Sequence, residues 1–180
     1  MQNLTITVFG SGKVKEGSSE YREAYNLGKL IAEAGYILCN GGYGGIMEAT
    51  AAGAKSRGGK TIGILVESFG TTSNKYIDEK IVTKSLLERL ALLIELGRAY
   101  IILPGASGTL VELATVWEYM IKGLMNIRPI ITIGNFWDNI TNTINSRLIY
   151  EDNERFTRLV KKVNDAEECV KLLNQHFYSR

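Results

Sequence analysis

Along the chain, short runs of consecutive apolar residues alternate with longer stretches in which apolar positions recur every three or four residues. The short runs fall at Leu4 to Phe9, Tyr36 to Cys39, Thr61 to Val66, Ala99 to Leu103 and Pro129 to Ile133. ITVFG, TIGILV, AYIILPG and PIITIG are nearly continuous rather than alternating, the pattern of strands covered by helices on both faces. Helical periodicity occupies Ser19 to Ala34, Gly45 to Ser56, Leu86 to Leu96, Thr109 to Gly123, Phe136 to Leu148 and Asp165 to Phe177, and several of these stretches close at a glycine such as Gly35, Gly97 or Gly123. Strands and helices alternating in this way predict an α/β fold, a Rossmann-like open parallel sheet flanked by helices on both faces. No linker or low-complexity stretch interrupts the pattern, and residues 1–180 suit one domain with its own core. The one long polar insertion, ESFGTTSNKYID at Glu67 to Asp78, follows the third strand and is a candidate lid.

Charge narrows the partners. Lys and Arg number 21 against 19 Asp and Glu, a formal charge of +2, and the basic residues are scattered, so nucleic acid is not an expected partner. Cys39 and Cys169 fit no metal or redox spacing and read as reduced thiols of a cytoplasmic protein. No window approaches the roughly 18 apolar residues of a membrane span, and the N-terminus lacks the pattern of an export signal, so no membrane association is expected.

In an open parallel sheet the residues just after each strand face the ligand crevice. Three of these turns are glycine-rich: GSGKVKEG after the first strand, NGGYGGIME after the second and PGASGTLVE after the strand at 99–103. Glycine lets backbone N–H groups approach a ligand, and the helix start that follows favours an anion, so the turns read as a nucleotide or phosphate pocket. Several familiar signatures fail on spacing. Lys15 stands where a dinucleotide fingerprint needs its third glycine, Gly59-Lys60-Thr61 lacks the first glycine of a phosphate loop because position 54 is alanine, and Ser107 is not in GxSxG because Thr109 closes the motif. His176 falls in a helical pattern near the C-terminus and reads as a surface residue.

Two charged residues stand out. Thr109-Leu110-Val111-Glu112 fits a capping box, in which Glu112 serves the helix start, but the same turn places Glu112 at the end of a central strand, facing the crevice. Arg89 lies in the first turns of an apolar helix, SLLERLALLIELGR, with a capping box at Ser85 and Glu88. The dipole opposes a cation there, so Arg89 either snorkels to the surface beside Glu88 or Glu95 or reaches an anion.

The order ERLALLIELGRAYIILPGASGTLVE, with Arg89 ahead of a PGGxGTxxE-like turn, resembles the LONELY GUY family of nucleotide 5′-monophosphate phosphoribohydrolases, formerly described as possible lysine decarboxylases. NGGYGGIMEATAAGA is similar to the family's GGGxxGxM turn and helix, and the resemblance covers residues 4 to about 135. It implies a Rossmann-like homodimer that cleaves the base from a nucleoside monophosphate of the AMP or cytokinin-ribotide type, leaving ribose 5-phosphate, with no metal or organic cofactor. Carried across, Arg89 and Glu112 would be the catalytic pair. Gly105, Gly108 and Thr109, with Ala106 and Ser107 between them, would hold the phosphate, and Gly41, Gly42, Gly44 and Gly45, with Gly10 and Ser11 of the first turn, would shape the facing wall. Ala106 stands where the family has its second glycine, and Leu90 where plant members carry lysine. GGYGGIMEA is nearer to bacterial relatives and to the molybdenum-cofactor carrier proteins, so the competing expectation is a non-catalytic carrier of a phosphate-bearing ligand.

Overall fold

In the computed structural model, which describes residues 4–178, seven strands form one parallel sheet in the order β4-β3-β2-β1-β5-β6-β7. The strands are β1 (Thr5–Phe9), β2 (Ile37–Asn40), β3 (Thr61–Val66), β4 (Glu79–Thr83), β5 (Ala99–Ile102), β6 (Ile130–Ile133) and β7 (Val160–Val163). Helices α1 (Ser19–Glu33), α2 (Ile46–Lys55), α3 (Leu86–Leu96), α4 (Ser107–Ile121), α5 (Asp138–Tyr150) and α6 (Ala166–Tyr178) connect them. The α/β, Rossmann-like reading is correct.

Side chains leave a strand alternately on its two faces, so each central strand feeds two cores. Ile6 and Val8 of β1 join a cluster with Leu27 and Ile31 of α1, Ala49 of α2 and Leu173 of α6. Phe9 points the other way, into a cluster with Leu93 of α3, Trp117 and Met120 of α4 and Leu148 of α5. Each fully enclosed residue such as Ile6, Leu27 or Ile101 contributes roughly 1.5–3 kcal/mol relative to remaining in water.

Two strands escape the hydrophobic reading, β4 (EKIVT) and β7 (VKKV). Both are edge strands with exposed positions, and their lysines discourage pairing with another sheet, so they carry no continuous apolar run. From β1 the chain steps outward to β2, β3 and β4, then returns to the other side of β1 as β5. That reversal opens a crevice beyond the carboxyl ends of β1 and β5, where open α/β sheets bind ligands. Among the described residues, no helix is long and apolar enough to cross a membrane.

Candidate functional site

The three glycine-rich turns meet at this crevice and are tied to one another through backbone groups. Ser11 donates its N–H to the Pro104 carbonyl at 3.0 Å, and its own carbonyl accepts from Ile46 N at 2.9 Å. Gly45 precedes Ile46 at φ 64°, and a Cβ there would run into Ser11 O and Gly12, so only glycine lets the second turn lie this close to the first. Buried Asn40, at the end of β2, braces the same turn. Its amide donates to Met47 O (2.9 Å) and Thr50 Oγ1 (3.0 Å), and its Oδ1 accepts from Gly42 N (2.8 Å).

Together the turns enclose a cavity of about 190 Å³ lined by Gly10, Ser11, Gly12, Met47, Arg89, Ala106, Gly108, Thr109 and Glu112. Two helix N-termini abut it, and neither has a side-chain cap: α2 follows Gly45 and α4 follows Ala106. By contrast, Ser18 caps α1 and Ser85 caps α3. The first N–H groups of α4 are left without a side-chain acceptor, a local positive potential suited to an anion.

The start of α4 corrects one reading of Glu112. Because the helix begins at Ser107, Thr109 already lies inside it, and no Thr109–Glu112 capping box forms. The box at the start of α3 does form: Ser85 Oγ accepts from Glu88 N at 3.2 Å, and Glu88 Oε2 accepts from Lys84 N at 2.8 Å.

Arg89 turns inward rather than snorkelling. Its Nε donates to Ile64 O within β3 at 2.7 Å and its Nη2 to Gly41 O just after β2 at 3.2 Å. Gly41 is required beneath it, since a Cβ would collide with the guanidinium. Nη1 hydrogen-bonds to no protein group among the described residues. Burial pushes the Arg89 pKa down, and the nearby Glu112 charge partly restores it. Burial likewise pushes the Glu112 carboxyl up to about 7, with Arg89 pulling in the opposite direction. The two charges feel each other without forming a direct ion pair. A carboxyl poised near neutrality opposite a fixed cation can exchange a proton or offset a developing positive charge.

The sequence profile of the SLOG cluster4 family matches residues 3–170. The chain belongs to that family. Among relatives of this SLOG protein, one from Archaeoglobus fulgidus is 40% identical over 133 residues, spanning 74% of this chain and 85% of its own. The cytokinin riboside 5′-monophosphate phosphoribohydrolase of Rhodococcoides fascians is 32% identical over 126 residues, 68% of this chain and 64% of that one. A protein of the same description from Mycobacterium tuberculosis is 35% identical over 97 residues, about half of each chain (52%). Among solved structures, the molybdenum cofactor binding protein of Rippkaea orientalis superposes with a TM-score of 0.77 at 27% identity, covering 98% of both chains. The molybdenum cofactor carrier protein of Chlamydomonas reinhardtii gives 0.76 at 25%, covering 97% of this chain and 98% of its own. The LONELY GUY resemblance and its kinship with the carriers are thus both upheld.

Of the residues expected at the site of this SLOG protein, Gly10, Ser11, Arg89, Ala106, Gly108, Thr109 and Glu112 line the cavity. Gly41, Gly42, Gly44 and Gly45 are not among the lining residues; they form the second turn, in which Gly41 O accepts from Arg89. Gly105 packs against the Thr109 side chain, and Ser107 is exposed at the first position of α4. Gly12 and Met47 also line the cavity. Gly12 was legible as the second glycine of the first turn, and Met47 only from its place in the first turn of α2. The insertion at 67–78 is tied down at several points. Asn74 Nδ2 donates to Tyr43 O (2.8 Å), its N–H donates to Gly42 O (2.8 Å), and Asp78 accepts from Thr61 N (3.0 Å).

Proposed function

We propose that this protein hydrolyses the N-glycosidic bond of a nucleoside 5′-monophosphate, of the AMP or cytokinin-ribotide type, to free base and ribose 5-phosphate. The observation that carries the reading is the convergence of Arg89 and Glu112, from two helices, on one small cavity whose remaining wall is largely uncapped backbone. The relatives named as phosphoribohydrolases support it. In this reading the 5′-phosphate rests on the N–H groups at the start of α4 and on the Thr109 hydroxyl, which fixes the ribose beside Glu112.

As the bond from C1′ to the base nitrogen breaks, its electron pair leaves with the base and positive charge develops on the ribose. The Glu112 carboxylate stabilises that charge, then accepts a proton from the water that attacks C1′, and the departing base takes up a proton. Arg89 pulls the Glu112 carboxyl back towards its ionised form against the effect of burial, and contacts the phosphate or ribose oxygens through its remaining N–H groups. The chemistry calls on no metal or organic cofactor.

Incubation with a panel of nucleoside monophosphates, followed by chromatography for free base and ribose 5-phosphate, tests the proposal. Turnover that falls about a hundredfold or more in Glu112→Gln is the expected result, and near wild-type turnover in that variant would falsify the catalytic assignment.

The near full-length likeness to molybdenum cofactor binding and carrier proteins supports a second reading, in which the cavity holds the phosphate of a carried ligand. Tight binding of such a ligand with no turnover of any nucleotide selects it. For either reading we propose a cytoplasmic homodimer with a solution mass about twice 19.9 kDa. Leu86, Leu87, Val111 and Leu124 leave apolar surface exposed on and just beyond α3 and α4, and both cysteines are free and buried.

A further inference from the structure

Arg89, which lines the cavity, is followed by two aromatic rings. The Tyr43 ring lies 5.6 Å from the guanidinium carbon, and the Phe69 ring lies 6.3 Å from Tyr43 with the planes at 61°. Phe69 is 62% exposed and belongs to neither core cluster. One exposed phenylalanine is ordinary in itself. This one is held in place by an unusually committed neighbour.

The Tyr43 hydroxyl accepts from Val66 N at 2.9 Å and shares its proton between Gly70 O (2.9 Å) and Val66 O (3.1 Å), gripping the 3-10 turn Glu67–Phe69 from both sides. Asn74 closes the other end by donating to Gly42 O and Tyr43 O. The hydrogen bonding thus presents a ring to water next to Tyr43, itself in contact with the cavity-lining Arg89, instead of folding it into the core.

We propose that Phe69, braced by Tyr43, is the platform on which the planar base of the bound nucleotide stacks. This rests on the nucleotide reading given above. With phosphate at the start of α4 and ribose between Glu112 and Arg89, the base leaves the cavity past Arg89, towards Tyr43 and Phe69. An apolar ring face offers stacking without hydrogen-bond demands, so it accepts any flat heteroaromatic group and favours the larger purine over the pyrimidine.

Calorimetric titration with AMP, CMP and ribose 5-phosphate tests this, carried out in a Glu112→Gln background to remove turnover. Phe69→Ala is expected to weaken AMP binding about ten- to a hundredfold while leaving ribose 5-phosphate within about twofold. Phe69→Trp should restore AMP, and CMP should bind less tightly than AMP while Phe69 is present. If AMP and ribose 5-phosphate both bind and Phe69→Ala changes neither, the platform is wrong and the nucleotide reading stands. Equal losses for both ligands would mean that Phe69 only shapes the turn, which also overturns the proposal. If neither ligand binds with Phe69 intact, the nucleotide reading fails and the platform falls with it.

Discussion

Helix α3 has an arginine at each end, and the two stand in opposite relations to the field of the helix. At its C-terminal end Arg128, from the segment before β6, sends Nη1 to the carbonyls of Ile94 (3.2 Å) and Gly97 and to the Tyr100 hydroxyl (2.9 Å). A cation there satisfies orphan carbonyls and sits at the negative pole of the dipole, so folding accounts for it completely. At the N-terminal end Arg89 is in the first turns, where the dipole disfavours positive charge, and burial adds a second cost. Its two carbonyl contacts offset part of that, but its nearest compensating charge is Glu112, on a different helix across a cavity. The difference teaches how to separate a structural arginine from one proposed to act on a ligand: the partners of the first explain it fully, those of the second only in part.

Replacing each arginine in turn breaks or sharpens the contrast. Arg89→Ala is expected to cost about a hundredfold or more in nucleotide cleavage, measured as kcat/KM on the best substrate of the panel. Without the cation the Glu112 pKa rises further, so whatever activity remains should appear only at higher pH than in the wild type. Arg128→Ala should do the reverse, lowering stability by about 1–3 kcal/mol in a denaturant melt because buried acceptors lose their donor, with kcat/KM unchanged. Loss of activity in the Arg128 variant at full folding would erase the distinction.

A smaller effect concerns Glu112 and stability. Its carboxyl is raised from 4.5 to about 7, so the folded state holds a proton that the unfolded chain has released between those values. The favourable protonated contribution is complete below about pH 4.5 and is lost as pH rises through about 7. Glu112→Gln should therefore melt close to the wild type at pH 4.5 and roughly 2–4 °C higher at pH 8, taking about 1 kcal/mol as the relief. Parallel pH profiles in differential scanning calorimetry would show that Glu112 is not buried with an elevated pKa in solution.

The central strands were readable in the sequence because both of their faces are covered, which demands unbroken apolar runs such as TIGILV. The edges were not: EKIVT and VKKV carry the lysines that protect an open edge, and those erase the signal. At the site, Arg89 was conspicuous because it violates the helix field, and the turns because of their glycines. What remained hidden depends on contacts distant in sequence. The helix that holds Glu112 starts two residues before Thr109, which no S/T-x-x-E spacing could disclose, and the anchoring of 67–78 relies on Asn74 reaching back to Gly42 and Tyr43.

The backbone of Ser11 belongs to two other turns at once, giving its N–H to Pro104 and its carbonyl to Ile46. Opening any one of the three turns therefore breaks a hydrogen bond held by another, and the amides of Ser11 and Ile46 become reporters of a single opening event in hydrogen exchange. A floor coupled in this way is a mould set before anything enters it. Little ordering is left to be done when a ligand arrives, so binding there loses less conformational freedom than it would on three independent loops.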